Sequence, residues 1–118
     1  MPIADDDRVV LAPSEIAAEL LSDWRLIAGR LCARFSTGTF ARGLRLVDQL
    51  AAEAEQADHH PDVDLRYGHV DVRLVSHDVG GITQRDVRLA RVISAIAHQM
   101  DATPQTGALQ DESRPGRD

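Results

Sequence analysis

One stretch of the chain carries Glu55, Asp58, His59, His60 and Pro61, followed by Tyr67, His77 and Asp86. Imidazole is the side chain whose ordinary proton affinity lies nearest neutral pH. Three imidazoles set among carboxylates are therefore suited to a reaction in which one group gives a proton while another takes one. The same side chains could hold zinc or iron, with Asp58 or Asp62 completing the shell. Against that, adjacent histidines rarely share one metal, and the sequence has no His-x-x-x-His pair to present two rings on one helix face. Acid-base chemistry without a metal or organic cofactor is the expectation.

These groups must be held by regular structure. Phe40, Leu44, Val47, Ala51 and Ala54 recur at helical spacing, after a turn and N-cap at Thr37-Gly38-Thr39, and predict a long helix reaching Asp58. Glu55 and His59 would then be neighbours on one helix face, so that the carboxylate orients the ring. Pro61 stops the helix and biases His60 towards an extended backbone, which gives the two adjacent rings different directions. Leu46 and Leu50 widen the apolar stripe beyond one packed face, and the surplus is available to a subunit interface.

Before this helix, Pro13 opens a short helix whose Ile16, Leu20 and Leu21 would face the core. Residues 24–28 and 31–35 form a hairpin around Gly29-Arg30, with Trp24 as a core anchor. After the long helix, Val63, Leu65 and Tyr67 alternate with polar residues, Gly68-His69 turns the chain, and Val70, Val72 and Leu74 alternate again. On this pattern Tyr67 belongs to the buried face. His77 ends the second hairpin beside the flexible connection Asp78-Val79-Gly80-Gly81, where it could project into a cleft. A last helix starts at Thr83-Gln84-Arg85-Asp86, in which Asp86 can close a capping box, and carries Leu89, Ile93, Ile96, Ala97 and Met100 on one side. His69 and His98 fall at surface positions. The order α-β-β-α-β-β-α predicts an α+β fold, a four-stranded antiparallel sheet with three helices on one face.

A chain of 118 residues with 43% hydrophobic content supports one domain between residues 11 and 101, flanked by a flexible N-terminus over 1–10 and a disordered tail over 102–118. A domain of this size buries only about two-thirds of its unfolded surface, which favours a homodimer or homotetramer. The net charge of −6 argues against nonspecific nucleic-acid binding, which needs a basic face. No segment has the roughly 20 apolar residues of a membrane span, and the acidic start does not read as a secretory signal, so a cytoplasmic location is expected. Cys32 is the only cysteine, expected as a buried strand thiol.

The full set, a Glu, three spacers, His-His-Pro, an aromatic at Tyr67, His77 followed by Asp78-Val79-Gly80-Gly81, and Asp86, resembles the signature of the pterin-4a-carbinolamine dehydratases. The resemblance runs from about residue 11 to about residue 100 and includes Trp24. It implies a hydro-lyase that removes water from 4a-hydroxytetrahydropterin to give quinonoid dihydropterin, in recycling of the cofactor of an aromatic amino acid hydroxylase. It further implies His59 and His77 as the acid and base, His60 as a catalytic and pterin-binding residue together with Pro61 and Tyr67, and Glu55, Asp58 and Asp86 as orienting carboxylates. The alternative is a non-catalytic dimerisation, assembly or coactivator protein on the same fold, since relatives of this family act in those ways too. An intact histidine set favours the enzyme. This chain departs from the pattern at Ala12, where relatives carry a Ser or Thr helix cap.

Overall fold

Alternation of apolar and polar residues becomes the two central strands. Strand β1 spans Arg25–Ile27, β2 Arg30–Ser36, β3 Asp62–Leu65 and β4 His69–Leu74. Pairing in the computed structural model, which describes residues 5–112, sets Leu31 opposite Leu74, Ala33 opposite Val72 and Phe35 opposite Val70. Directly paired residues point to the same side, and all six are essentially inaccessible. The reverse side carries Arg34 opposite Asp71, joined by two hydrogen bonds of 2.6 and 2.9 Å, and Cys32 opposite Arg73. Cys32 is buried, as expected.

The antiparallel sheet runs β1-β2-β4-β3, and a short strand β5 (Thr103–Pro104) adds to β2. Its apolar face packs against Ile16 of α1 (Pro13–Ala18), Leu46 and Leu50 of α2 (Phe40–Ala57) and Leu89 and Ile93 of α3 (Gln84–Gln99). Trp24 closes one end of this core, its ring edge-on to Phe35 and its indole N–H donating to Ser94 Oγ at 2.9 Å. The α+β class and the antiparallel sheet are as the sequence predicts, with β5 and a further helix α4 (Thr106–Glu112) added.

The buried face of α2 is not the expected one. Gly43, Leu46, Leu50 and Ala54 face the sheet, whereas Phe40 and Leu44 are about half exposed, at 50% and 46%, and Ala51 is exposed. Both stripes have helical spacing, so periodicity cannot choose between them. Close approach does: a Cβ at Gly43 would lie 2.7 Å from Leu65 Cδ1, so only a face that carries glycine at this position can approach the sheet so closely. The surplus apolar face exists, on Phe40 and Leu44 rather than on Leu46 and Leu50.

The first hairpin turns through Ala28 and Gly29, both at positive φ (52° and 79°), the two-residue geometry that matches strand twist. Helix α1 ends sooner than expected, and Leu20 is 82% exposed in a left-handed conformation, while Leu21 packs partly on the core. Tyr67 does not continue β3. Arg66 N–H donates to His69 O at 2.9 Å, which closes the turn and leaves Tyr67 77% exposed.

Both chain ends hold more structure than composition suggests. Residues Asp5–Arg8 form a 3₁₀ turn, Asp7 pairs with Arg88 at 2.9 Å, and Leu11 N–H donates to Ile82 O. At the other end β5 and α4 replace the expected disordered tail as far as residue 112, and Leu109 is 2% exposed. The free edge of β2 supplies hydrogen bonds, and Ala102 and Leu109 supply anchors that composition averages away. Residues 1–4 and 113–118 lie outside the described residues.

Candidate active site

Asp58 ends α2 in the left-handed conformation at φ 51°, and His59 N–H reaches back to Ala54 O at 3.1 Å. Asp is one of the few non-glycine residues that adopts this conformation readily. The reversal sends the His59 ring towards the start of α3, where its Nε2 lies 2.6 Å from Asp86 Oδ1. The His59 side chain is 11% exposed and Asp86 is fully buried.

Every oxygen of Asp86 is used. Oδ2 accepts from Ser76 Oγ at 2.7 Å and from the backbone N–H of Thr83 at 2.9 Å. Since Ser76 spends its proton on Asp86, the 2.9 Å contact between its oxygen and Thr83 Oγ1 has threonine as the donor. Thr83 Oγ1 in turn accepts from the backbone N–H of Arg85, completing the capping box of α3. One buried carboxylate thus caps a helix and holds an imidazole. With Asp86 as acceptor, the ring hydrogen of neutral His59 sits on Nε2 and the lone pair on Nδ1.

Glu55 does not orient His59. It pairs with Nε2 of His60, and both partners are well exposed. Left-handed Asp58 breaks the helical phase, so the i,i+4 relation expected of Glu55 and His59 is lost and the carboxylate meets the next ring instead. Asp58 acts through its backbone as the helix cap; its carboxylate has no partner among the described residues.

His77 follows Ser76 directly and is exposed in a turn over residues 77–80. The turn is anchored at both ends: Gly80 N–H donates to Ser76 O at 2.9 Å, Ser76 pairs with Gly81, and Arg85 Nη2 donates to Asp78 at 2.8 Å. That hydrogen bond from Arg85 holds the Asp78 carboxyl below its usual range, partly opposed by desolvation. Through Ser76 the turn bearing His77 and the ring of His59 are tied to the same carboxylate.

Beside His59 a cleft of about 240 Å³ opens between α2 and α3, lined by Glu53, Gln56 and Ala57 on one side and Arg85, Arg88, Leu89 and Val92 on the other. His60, Pro61, Tyr67 and His77 are not part of its lining. Tyr67, expected on the buried face, stands exposed at the hairpin turn. His98 binds Asp23 at 2.9 Å, and half-buried His69 lies 3.7 Å from Asp71. Among the described residues no group of three His, Cys, Asp or Glu side chains is placed to hold a metal ion. Sequence reasoning missed Ser76. Ser76 shares Oδ2 of Asp86 with the capping N–H of Thr83, while His59 takes Oδ1, and no spacing along the chain signals that shared contact.

The family model for pterin 4 alpha carbinolamine dehydratase matches residues 9–96. The chain belongs to that family. A relative from Thermosynechococcus vestitus, named for pterin-4-alpha-carbinolamine dehydratase, is 44% identical over 89 residues, covering 74% of this chain and 94% of its own length. One of the same name from Mycobacterium leprae is 40% identical over 89 residues, with 74% and 95% covered. Among solved structures, the transcriptional coactivator/pterin dehydratase from Brucella melitensis superposes with a TM-score of 0.71 at 31% identity, over 75% of this chain and 99% of that one. A pterin dehydratase-like protein described as a RuBisCO assembly factor in the alpha-carboxysome gives 0.55 at 25% identity, over 63% and 88%. The activity for which the family is named is that of a hydro-lyase. No helix among the described residues is long and apolar enough to cross a membrane.

Proposed function

We propose that this protein is a cytoplasmic hydro-lyase that dehydrates 4a-hydroxytetrahydropterin to quinonoid dihydropterin, and so returns the spent cofactor of an aromatic amino acid hydroxylase to use. The observation that carries the reading is the 2.6 Å bond from His59 to fully buried Asp86. A capping residue needs no imidazole, and a surface histidine needs no buried carboxylate. Together they fix the tautomer of a ring beside an open cleft, as second-group contacts to a working histidine do.

In the reaction the 4a-hydroxyl takes up a proton, the C4a–O bond breaks to release water, and a ring-nitrogen proton is removed. His59, with Nε2 committed to Asp86, offers Nδ1 to one of these transfers, and Asp86 balances the charge when the ring is protonated. His77, on its anchored turn, performs the other. His60, exposed and paired with Glu55, positions the pterin beside Pro61. No cofactor enters the scheme.

Half-exposed Phe40 and Leu44 on α2 support a homo-oligomer formed through that helix face. The same face is what a non-catalytic assembly role would use, and it leaves the histidines free for chemistry. The test is the rate of dehydration over the spontaneous background for wild type, His59→Ala and His77→Ala. Each substitution is expected to lower the enzymatic rate by about 10²- to 10⁴-fold, the range for lost acid-base catalysis, with the fold intact by circular dichroism. Background rates for wild type would leave the assembly role as the function.

A further inference from the structure

The chain leading into α1 crosses the end of the turn that bears His77. Leu11 N–H donates to Ile82 O at 2.8 Å, and Val10 lies on Gly81: a Cβ at Gly81 would stand 2.6 Å from Val10 Cγ1, 3.3 Å from Cγ2 and 3.5 Å from Cβ. Gly81 is not among the glycines at positive φ, so it is the approach of Val10 that excludes a side chain there. Further back, Asp7 of the 3₁₀ turn pairs with Arg88 Nη2 at 2.9 Å, and Arg88 lines the cleft beside His59. Segment 7–11 therefore grips two parts of the site at once, the end of the His77 turn and the first half of α3.

The other anchors of the turn, Gly80 N–H on Ser76 O and Arg85 on Asp78, are local ones. Turns held by local hydrogen bonds alone belong to the least stable parts of a fold, and contacts from a distant segment raise the cost of opening them. Asp7 lies ahead of residue 9, where the match to the family model begins, so the outer anchor falls outside what that model describes.

We infer that segment 7–11 is a positioning clamp for His77: Val10 and Leu11 seat on Gly81 and Ile82 and hold the turn at one distance from the His59–Asp86 pair, while Asp7 fixes the clamp to α3. The inference rests on the reading of His77 as one of the two proton-transfer groups. Misplacing such a group by about 1 Å can cost about 10²-fold in rate. An alanine at position 81 forces a displacement of about that size, because carbon atoms in ordinary contact stand about 3.5–4.0 Å apart.

The test is a cycle of variants in the full chain. Gly81→Ala drives the clamp and the turn apart, Val10→Ala leaves a gap between them, and the double variant restores an ordinary contact, since Val10 Cβ would lie 3.5 Å from the new methyl. Exchange of the Leu11 amide, followed by NMR, reads whether the clamp is seated; kcat and KM for dehydration, measured well below Tm, read what it does. Gly81→Ala is expected to exchange Leu11 about tenfold faster or more and to lower kcat by about tenfold or more, with KM within about threefold of wild type. Val10→Ala should move both in the same direction by less, and the double variant should bring both back to within about threefold of wild type. Faster exchange at Leu11 with unchanged kcat overturns the clamp as a positioning element, and unchanged exchange overturns its seat on the turn. A fall in kcat that the double variant does not recover overturns the Val10–Gly81 contact as the cause. If Gly81→Ala fails to fold, Val10→Ala, which only opens space, is read against wild type in its place. If wild type does not dehydrate the pterin, the functional reading fails and the clamp is judged on the ring resonances of His77: shifted in Gly81→Ala and recovered in the double variant they uphold it, and unmoved they overturn it.

Discussion

Replacing Asp86 by Asn tests the site most sharply, because it keeps the shape and removes one acceptor. Three donors converge on the carboxylate: Nε2–H of His59 at 2.6 Å, Oγ–H of Ser76 at 2.7 Å and N–H of Thr83 at 2.9 Å. An amide has one oxygen for two sides. Turned with its NH₂ towards Thr83, it opposes a buried donor to a donor, at about 1–3 kcal/mol, and forfeits the helix cap, worth about 1 kcal/mol. With NH₂ towards His59 it keeps the cap but needs a lone pair on Nε2, which moves the ring hydrogen to Nδ1. The second arrangement is the cheaper, so the variant should fold with a loss of about 1–2 kcal/mol, as charge-assisted hydrogen bonds become neutral ones. At this chain length that lowers Tm by about 4–8 °C. The lone pair assigned to proton transfer has gone, so kcat should fall by about 10²- to 10⁴-fold, equivalent to roughly 3–5 kcal/mol of barrier. Calorimetry, dehydration kinetics and nitrogen NMR of the His59 ring read the three effects separately. Full activity with the Nε2–H tautomer retained would falsify the assignment of Asp86 as the residue that sets the His59 ring.

Two further outcomes follow from the same contacts. Hydrogen bonds from Arg85 to Asp78, and from Gln84 and then Arg91 to Glu19, hold both carboxyls below their ordinary values of 3.8 and 4.5. The folded pKa lies below the unfolded one, so this stabilisation is present above those ordinary values and is lost as acidification carries the pH down through the folded pKa. Tm measured from pH 7 to pH 3 should drop more steeply for wild type than for an Asp78→Asn/Glu19→Gln double variant; parallel curves would rule these pairs out as the source. Phe40→Glu with Leu44→Glu should lower the molar mass in solution while changing the unfolding free energy by no more than about 1 kcal/mol, since neither side chain is in the core. An unchanged mass would place any subunit contact elsewhere.

The local elements were legible because local physics makes them. The apolar run over 31–35, the alternation over 70–74, a turn at Gly29, the Thr83 cap and the break at Pro61 each follow from a few neighbouring residues, and they gave the α+β class; the turn itself falls one residue earlier than expected, on Ala28-Gly29. The histidine signature gave the family. Partners across the fold were another matter. Glu55 and His59 stand at helical spacing, yet one left-handed residue, Asp58, sends His59 to Asp86, 27 positions away, and leaves Glu55 to His60. Which stripe of α2 is buried depends on the close packing of Gly43 against Leu65, and the order of residues 102–112 depends on an edge left free by a β1 only three residues long. Sequence by itself determined which groups could carry protons. The tertiary structure decided which carboxylate holds which ring, because a contact between distant segments is set by how whole elements pack, and no spacing along the chain records that.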